Sequence, residues 1–414
     1  MRPGVLIAAW LCLSACAQTP APVARLSPSP SSLATAANAS PVPSSNPAQS
    51  APPSPPAPYA VMVHRAGGAE PYIVQLVSSD GRGGPSVSPT SRSDKFFYFP
   101  PPPTPCGMCS SAESGSFNLP ETSISSTRVY FLDGETQVKS LSPDGTVASV
   151  MNLSAPANTE VVFAVSPDDR RIAVSAITLA TDNSIAPINE VMYVEDVGTG
   201  SNRVDIYTTT TIAEWPVAWH GGSLVVGVGP VDISTYENPY GAVAYHIVDP
   251  ATGRRLLALN CAQGLLGPAG TACATGFCGT ASTCAGGTIG EQGWKGATTN
   301  FALPVGPPPK ILLAFAHGAE LSPDGRRIAA FGVMDSPSFA PETIMLSNGA
   351  SSVLTQLGSP QGWLDSTHLV VTSGTAAWIV DADNGQTATQ MTGISALPQE
   401  GSPALAGVLP TNLA

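Results

Sequence analysis

From residue 59 onward, short apolar runs alternate with clusters of turn-forming residues. The runs are four to seven residues long and rich in β-branched and aromatic side chains, as in 72–77 (YIVQLV), 161–165 (VVFAV) and 224–228 (LVVGV). No window of a dozen residues shows the 3.6-residue period of an amphipathic helix. Short β-branched runs bounded by turn residues are typical of strands. The pattern therefore predicts an all-β chain.

One pair of runs recurs around a turn. Residues 165–174 (VSPDDRRIAV) and 321–330 (LSPDGRRIAA) nearly superpose, and 141–146 (LSPDGT) matches their first half. Looser copies are 217–226 (VAWHGGSLVV) and 362–371 (GWLDSTHLVV). Proline presets the first φ angle of such a turn, aspartate bonds back to its amides, and glycine accepts a positive φ. Each copy except 141–146 predicts a hairpin. The turn carboxylates are Asp144, Asp168 and Asp324.

A second turn follows, as 194–200 (VEDVGTG), 248–253 (VDPATG) and 380–385 (VDADNG). In each copy an outer strand is expected to end in an aspartate-led turn before one last strand. One inner and one outer hairpin make a four-stranded blade, and repetition every ~40 to 50 residues is typical of a β-propeller. The leading carboxylates are Asp196, Asp249 and Asp381.

Together the two elements, S-P-D-G-R-R-I-A and V-x-D-x-x-T-G, resemble the WD40-like (PD40) repeats of the TolB-type propeller family. The resemblance covers residues 160–390 and is strong at 165–174 and 321–330. It implies a propeller that acts as a scaffold in the cell envelope. The copy at 141–146 closely follows 129–134 (VYFLDG), so an outer hairpin is an alternative place for it.

Six blades are expected, and seven are the alternative because residues 263–299 could contain further strands. A degenerate copy of the repeat from residues 87 to 99 would belong to the second blade. The last blade would combine a C-terminal strand at 404–409 with residues 59–77, which removes the open edge of the ring. A plain β-sandwich is the alternative fold. Four further blades are centred on 160–212, 215–262, 300–350 and 355–395.

The N-terminal residues carry a targeting signal. Arg2 precedes an apolar stretch at 5–13 (VLIAAWLCL) that is too short to span a bilayer. Residues 13–16 (LSAC) then resemble the lipobox of bacterial lipoproteins. We therefore expect a signal peptide at 1–15 and lipidation of Cys16, and an ordinary secretory signal is the alternative. The residues after Cys16 resemble an outer-membrane address if the host has such a membrane.

Residues 16–58 are expected to form a disordered, lipid-anchored tether, since 17–58 consist almost entirely of Pro, Ser, Ala, Thr and Asn. Such a segment reaches about 40 to 100 Å from the membrane. The propeller then occupies 59–414, with cysteine-bearing insertions expected near 100–125 and at 261–299.

The amino-acid composition limits the classes of binding partner that this protein can have. Only 11% of the residues are charged and 43% are hydrophobic, so the polar surface must come largely from Ser, Thr, Asn, Gln and exposed backbone. The formal net charge is −12. A nucleic-acid partner is excluded because sequence-independent binding needs a basic surface.

Six cysteines follow Cys16, and an exported protein with an even number favours disulfides. A local bond between Cys106 and Cys109 is expected, with the other four pairing among themselves. Zinc binding and a redox C-x-x-C site are the alternatives, but the downstream spacings of five and six do not repeat C-x-x-C. The downstream cysteines are Cys261, Cys273, Cys278 and Cys284.

The sequence contains no recognisable motif for catalysis or for metal or nucleotide binding. There is no G-x-S-x-G elbow, no P-loop and no H-E-x-x-H, and the histidines are isolated. We expect no catalytic residue, no metal and no cofactor. The expected function is a membrane-anchored, non-catalytic binding or scaffold module whose partner is an envelope protein or glycan. The alternative is a propeller enzyme, glycosidase-like or metal- or quinone-dependent, with its site at the central channel.

Overall fold

A computed structural model describes the chain in sixteen segments, and every regular element in them is a β-strand. Within these segments no helix is long and apolar enough to cross a membrane. All strands belong to one compact unit, residues 55–414. The described segments are 57–65, 72–90, 122–156, 159–179, 187–228, 244–259, 266–268, 270–274, 288–294, 298–302, 311–312, 320–334, 341–347, 350–383, 387–394 and 403–413.

The strands form seven antiparallel sheets, numbered by their order in the chain. Sheet 1 contains β1 (Tyr59–Arg65), β2 (Tyr72–Ser78), β3 (Gly83–Val87) and β29 (Ala404–Leu409). Sheet 2 contains β4 (Thr122–Ile124), β5 (Val129–Asp133), β6 (Gln137–Leu141) and β7 (Val147–Asn152). Sheet 3 contains β8 (Thr159–Val165), β9 (Arg171–Leu179), β10 (Pro187–Asp196) and β11 (Val204–Thr209). Sheet 4 contains β12 (Glu214–His220), β13 (Ser223–Val228), β14 (Ala244–Val248) and β15 (Arg255–Leu259).

The remaining sheets follow in chain order. Sheet 5 contains β16 (Leu266–Gly267), β17 (Gly270–Ala274), β18 (Thr288–Gly293) and β19 (Thr298–Ala302). Sheet 6 contains β20 (Ile311–Leu312), β21 (Glu320–Leu321), β22 (Ile328–Met334), β23 (Pro341–Ser347) and β24 (Ala350–Leu357). Sheet 7 contains β25 (Ser359–Trp363), β26 (His368–Ser373), β27 (Ala376–Asp381) and β28 (Ala388–Gln390).

The all-β class and the four-stranded antiparallel propeller blades are confirmed. Sheets 1 to 4 and sheet 7 are five such blades with described side chains. The expected number of six blades and the alternative number of seven are both wrong, because five blades are shown and most side chains of sheets 5 and 6 lie outside the described residues. Residues 266–302 form sheet 5, which the sequence pattern did not reveal.

The core lies between successive sheets. Val61 and Leu76 of sheet 1 pack with Phe131 of sheet 2, and Met192 of sheet 3 packs with Trp219 of sheet 4, all buried. A large apolar side chain contributes roughly 1.5 to 3 kcal/mol when it is fully buried. Because both faces of a sheet carry apolar side chains, each sheet needs a neighbour on either side.

The ring is closed by strands from the two ends of the described chain. β29 pairs antiparallel with β1, and the register runs from Tyr59 opposite Leu409 to Val63 opposite Ala404. β29 thereby becomes the first strand of sheet 1, as the pattern at 404–409 predicted. This pairing joins the two ends of the described chain within one sheet and so closes the ring.

The repeat turns occupy equivalent places. Turns at 166–170 and 322–327 join the first and second strands of their sheets, as do 221–222 and 364–367. The turn at 142–146 instead joins β6 and β7, so it belongs to an outer hairpin, which was the alternative. In a meander of four strands these two kinds of turn share one face of the ring. We call it the turn face, and the opposite face, with the second-to-third and sheet-to-sheet connections, the link face.

The repeat at 165–174 departs from the consensus because Asp169 replaces the turn glycine. Asp169 has a φ of 61°, a conformation that costs a non-glycine residue about 1 to 2 kcal/mol. Its carboxylate accepts hydrogen bonds from Tyr130 Oη at 2.9 Å and from Thr127 Oγ1 at 2.5 Å, both in sheet 2. The strained residue therefore ties sheet 3 to sheet 2.

The expected insertion at 261–299 is corrected. Strands β16, β17 and β18 lie within it, so it supplies most of sheet 5. Its Gly-, Ala- and Thr-rich composition hid the strands, because small side chains give little hydrophobic alternation. The other expected insertion, near 100–125, lies outside the described residues except for β4 at its end. The expected signal peptide at 1–15 and almost all of the expected tether at 16–58 also lie outside them.

Gly253 tests the packing between sheets 3 and 4. A Cβ on Gly253 would lie 2.4 Å from the carbonyl oxygen of Ile206, whereas one on Gly134 would meet nothing within 4 Å. Both glycines have positive φ, +69° and +73°. We expect Gly134→Ala to lower the free energy of unfolding by about 1 kcal/mol. Gly253→Ala should lower it by ~3 kcal/mol, because a neighbouring backbone must also move.

Urea-induced unfolding of the two variants, followed by circular dichroism, measures this difference. Equal losses for Gly134→Ala and Gly253→Ala would contradict the close approach of the two sheets.

Candidate functional site

The first strand of each sheet lies nearest the central channel. Where these strands end at the turn face, they surround a small cavity. It has a volume of about 50 Å³ and is lined by first strands of sheets 1 to 4, through residues that include Ser123, Val165, Trp219 and Gly407. A cavity of this size holds only a few water molecules. Binding pockets for small molecules usually measure ~300 to 1,000 Å³. The cavity is therefore too small for a substrate as it stands.

Residues 410–413, which we call the closing segment, lie across this end of the channel. The amide of Thr411 donates to the carbonyl oxygen of Ser125 at 3.0 Å. Asn412 Nδ2 donates to the carbonyl oxygen of Trp363 at 3.3 Å. His220 Nδ1 lies 2.6 Å from the carbonyl oxygen of Leu413. The segment thus bonds to sheets 2, 7 and 4 and joins three separate sectors of the ring.

His220 has a defined tautomer. A carbonyl oxygen can only accept a hydrogen bond, so the proton must be on Nδ1 of His220. The ring also stacks on Trp294, with centroids 4.5 Å apart and planes 17° from parallel. Trp294 in turn donates from Nε1 to the carbonyl oxygen of Pro268 at 2.8 Å. His220 therefore links the closing segment to the residues that follow β18.

The cavity has few groups that could take part in a reaction. None of its lining residues carries a charged side chain, and its polar groups are hydroxyls, one amide and one indole. Among the described residues no group of three or more His, Cys, Asp or Glu side chains is placed to hold a metal ion. General acid–base catalysis needs a titratable group within hydrogen-bond reach of the substrate. None of the residues that line the cavity is such a group.

A second polar site lies at the seam between sheets 3 and 4, at the opposite end of β12. Glu190 and Ser175 are fully buried there. Ser175 Oγ lies 2.6 Å from Glu190 Oε1 and 2.9 Å from the carbonyl oxygen of Glu214. The amide of Glu214 donates to Glu190 Oε1 and Oε2 at 3.2 and 3.0 Å. We call these three residues the seam carboxyl site.

Burial raises the pKa of Glu190 to about 8. The hydrogen bonds from Ser175 and from the Glu214 amide act in the opposite direction, and the charge of Glu214 adds to the rise. Burial dominates because an ionised carboxylate loses most of its hydration in the interior. The site was missed by sequence analysis, since Glu190, Ser175 and Glu214 belong to no repeat motif.

The predicted turn carboxylates lie in turns, each accepting hydrogen bonds within its own loop. Asp168 accepts from Ser166 Oγ at 2.6 Å, and Asp324 accepts from Ser322 Oγ at 2.6 Å. Asp144 accepts from the Thr146 amide at 2.9 Å. These contacts lower the pKa of all three carboxyls. Asp196, Asp249 and Asp381 also accept hydrogen bonds within their own loops, from Asn202 Nδ2, the Ala251 amide and the Asp383 amide.

The structure does not bring the predicted cysteines together in any described site. Cys273 lies on β17, but its side chain is outside the described residues. Cys16, the residue predicted to be lipidated, also lies outside them, and so do Cys106, Cys109, Cys261, Cys278 and Cys284.

No family model matches the sequence, and no curated protein matches it. Among solved structures, a puromycin-hydrolyzing peptidase from Mycobacterium tuberculosis matches with 12% identity and a TM-score of 0.35, over 80% of this chain and 53% of the peptidase. Acylaminoacyl peptidase from Pyrococcus horikoshii matches with 11% identity and a TM-score of 0.42, over 78% of this chain and 48% of the enzyme. A protein described as TolB from Agrobacterium tumefaciens matches with 13% identity and a TM-score of 0.29, over 68% and 84%.

The chain therefore spans about half the length of these two peptidases. At such identities and TM-scores the matches carry no argument about activity. The strand pairing within and between the sheets establishes the propeller fold without them.

Replacing His220 should loosen the closing segment. In His220→Ala and His220→Phe the hydrogen bond to Leu413 is lost, and only the second variant keeps a ring to stack on Trp294. We expect hydrogen exchange of the amides at 411 and 413 to accelerate about tenfold in both, which corresponds to ~1.4 kcal/mol. Exchange measured by mass spectrometry on the C-terminal peptide tests this. Wild-type exchange in His220→Phe would show that stacking, and not the hydrogen bond, holds the segment.

Proposed function

We propose that this protein is an exported lipoprotein whose propeller is a non-catalytic binding module of the cell envelope. The observation that carries the proposal is the closed channel end, where the closing segment lies across an uncharged cavity of about 50 Å³. A rigid ring without a described reactive site is suited to presenting loops to a partner. The repeats at 165–174 and 321–330, with their resemblance to envelope propellers, support the same conclusion.

The way the chain enters the ring supports an orientation. Tyr59 begins β1 and pairs with Leu409, the last residue of β29, so the tether joins the propeller at the turn face. A lipid on Cys16 would then be attached through the turn face, which favours the turn face as the one nearer the membrane. The link face would point away and would be free to meet an envelope protein or glycan.

Four of the other cysteines belong to connections whose flanking strands end at the link face. Sheets 1 and 2 are joined by residues 88–121, which include Cys106 and Cys109, and β17 is joined to β18 by residues 275–287, which include Cys278 and Cys284. Both connections begin and end at the link face, because they join a fourth strand to the next sheet and a second strand to a third. We propose that disulfides, and not zinc or a redox pair, order these connections.

A propeller enzyme with a site at the central channel is the alternative. Glycoside hydrolysis usually needs two carboxyl groups roughly 5 to 10 Å apart across the scissile bond. No carboxylate lines the described cavity. The turn carboxylates bond within their own loops instead. The described geometry therefore favours the binding module.

Intact mass of the protein extracted from its native membrane tests the anchor and the disulfides. The expected result is a mature chain that begins at Cys16, carries a diacylglyceryl group, and gains six hydrogens on reduction. Cys16→Ser is the matched variant and should lack the lipid mass and leave the membrane fraction. An unmodified N-terminus with free thiols in the wild type would contradict the exported lipoprotein.

Photocrosslinking in living cells tests the orientation. Two exposed positions of sheet 2 are matched, Glu135 at the link face and Asp144 at the turn face. We expect a photoreactive residue at 135 to crosslink an envelope partner at least several times more efficiently than one at 144, since the link face meets the partner. Equal or reversed yields would overturn the proposed binding face, and enzymatic turnover at the channel would overturn the non-catalytic role.

A further inference from the structure

We propose that the seam carboxyl site is a proton-dependent clamp: neutral Glu190 holds sheets 3 and 4 together, and loss of its proton releases the seam. The inference does not depend on the proposed binding function. It rests on a count of hydrogens in the site and on the charges around it.

The count of hydrogens favours a neutral carboxyl. The Ser175 hydroxyl has one proton but lies within hydrogen-bond distance of two acceptors, Glu190 Oε1 at 2.6 Å and the Glu214 carbonyl oxygen at 2.9 Å. If Glu190 is ionised, the Ser175 hydroxyl can donate to Glu190 Oε1 or to the Glu214 carbonyl oxygen, but not to both. The other contact then brings two oxygen atoms together with no hydrogen between them. If Glu190 is protonated on Oε1, it donates to Ser175 Oγ, and Ser175 donates to the Glu214 carbonyl.

The neutral form therefore completes a closed ring of hydrogen bonds. The Glu214 amide donates to Glu190 Oε2 at 3.0 Å, and this last hydrogen bond leads from Glu214 back to Glu190. Every polar atom of the ring then has a partner, which matters because Glu190 and Ser175 are both 0% exposed. The burial that raises the pKa of Glu190 to about 8 acts in the same direction.

The charges around the site also favour the neutral acid. Glu190 faces Ser175 on β9, Tyr207 on β11 and Glu214 on β12, and no ion pair to Glu190 occurs in the described segments. Glu214 is different, because its Oε1 lies 3.6 Å from His246 Nδ1 on β14. Arg255 on β15 lies next, with Nη1 3.4 Å from His246 Nε2. Glu214 thus has neighbours that stabilise a negative charge, whereas Glu190 has a like charge beside it.

The site joins the two sheets where they meet. Glu190 is on the third strand of sheet 3, and both backbone groups that complete the ring belong to Glu214, the first residue of the innermost strand of sheet 4. The next residue, Trp215, is fully buried and packs with Val162 of sheet 3. Loss of the proton removes a donor from the ring and leaves a buried charge, so this part of the seam should open first.

The direction of the pH effect follows from linkage. The pKa of Glu190 in the folded protein, about 8, is above the 4.5 of a free glutamate. The contribution of the clamp is complete below pH 4.5, falls as the pH rises, and is lost above about pH 8. In that interval the unfolding equilibrium constant should rise up to ~10-fold per pH unit from this single group.

Glu190→Gln separates the neutral clamp from an ionised one. A glutamine amide can donate to Ser175 and accept from the Glu214 amide, so it reproduces the neutral acid but cannot lose a proton. Asp205→Asn is the matched control, because it neutralises an exposed carboxylate on the neighbouring strand β11. Urea unfolding of all three proteins between pH 5 and pH 9, with hydrogen exchange of the Glu214 amide corrected for its intrinsic rate, is the experiment.

We expect Glu190→Gln to have the same unfolding equilibrium constant as the wild type at pH 5. At pH 9 its unfolding equilibrium constant should be at least tenfold lower than that of the wild type, and its Glu214 amide should stay protected from exchange. Asp205→Asn should follow the wild type at every pH. A loss of stability in Glu190→Gln at pH 5, or a wild-type pH dependence in that variant, would overturn the clamp.

Infrared spectroscopy of the wild type keeps the inference testable if Glu190→Gln does not fold. A carbonyl band from a neutral carboxylic acid should persist at pH 7 and disappear between pH 7 and pH 9, and Ser175→Ala should shift it. Absence of such a band at pH 7 would show that Glu190 is ionised in the folded protein.

Discussion

The sheets whose side chains the structure describes carry apolar residues on both faces, and the ring follows from the need to cover both. All seven residues of β8 are buried, although alternate side chains of a strand point to opposite faces. Such a sheet cannot stand at the end of a row, because one apolar face would meet water. A ring removes the ends of the row, and the pairing of β1 with β29 completes it. The packing between sheets and the closure between the chain's ends are therefore two results of the same requirement.

The two faces of the ring have different properties for a topological reason. Turns between first and second strands, and between third and fourth strands, share the turn face, where Asp168 and Asp324 hold tight loops with short hydrogen bonds. The connections between sheets start and end at the link face, where they are free to vary in length. The closing segment adds to the asymmetry, since His220 and Asn412 bond it across the channel on the turn face. Under the proposed function, binding and anchoring are assigned to opposite faces of the ring.

The scarcity of charge gives the few buried polar groups a large influence. With 11% charged residues, the seams between sheets are mostly apolar, and a polar side chain there must find all of its partners within the seam. Asp169 does so by bonding to Tyr130 and Thr127 of the neighbouring sheet. Glu190 does so as a neutral acid with Ser175 and the backbone of Glu214. Both residues link neighbouring sheets through an ionisable side chain.

The local features of this protein follow from the order of its residues alone. The short β-branched runs, the turns at 166–170 and 322–327 and the closing strand at 404–409 could all be predicted, because strand periodicity and turn chemistry depend on neighbouring residues. Sheet 5 could not, since its Gly-, Ala- and Thr-rich strands lack hydrophobic alternation. The seam carboxyl site and the closing segment could not either. Their partners are far apart in the chain, as with His220 and Leu413, so the packing of the sheets sets which of them meet and which charges are removed from water.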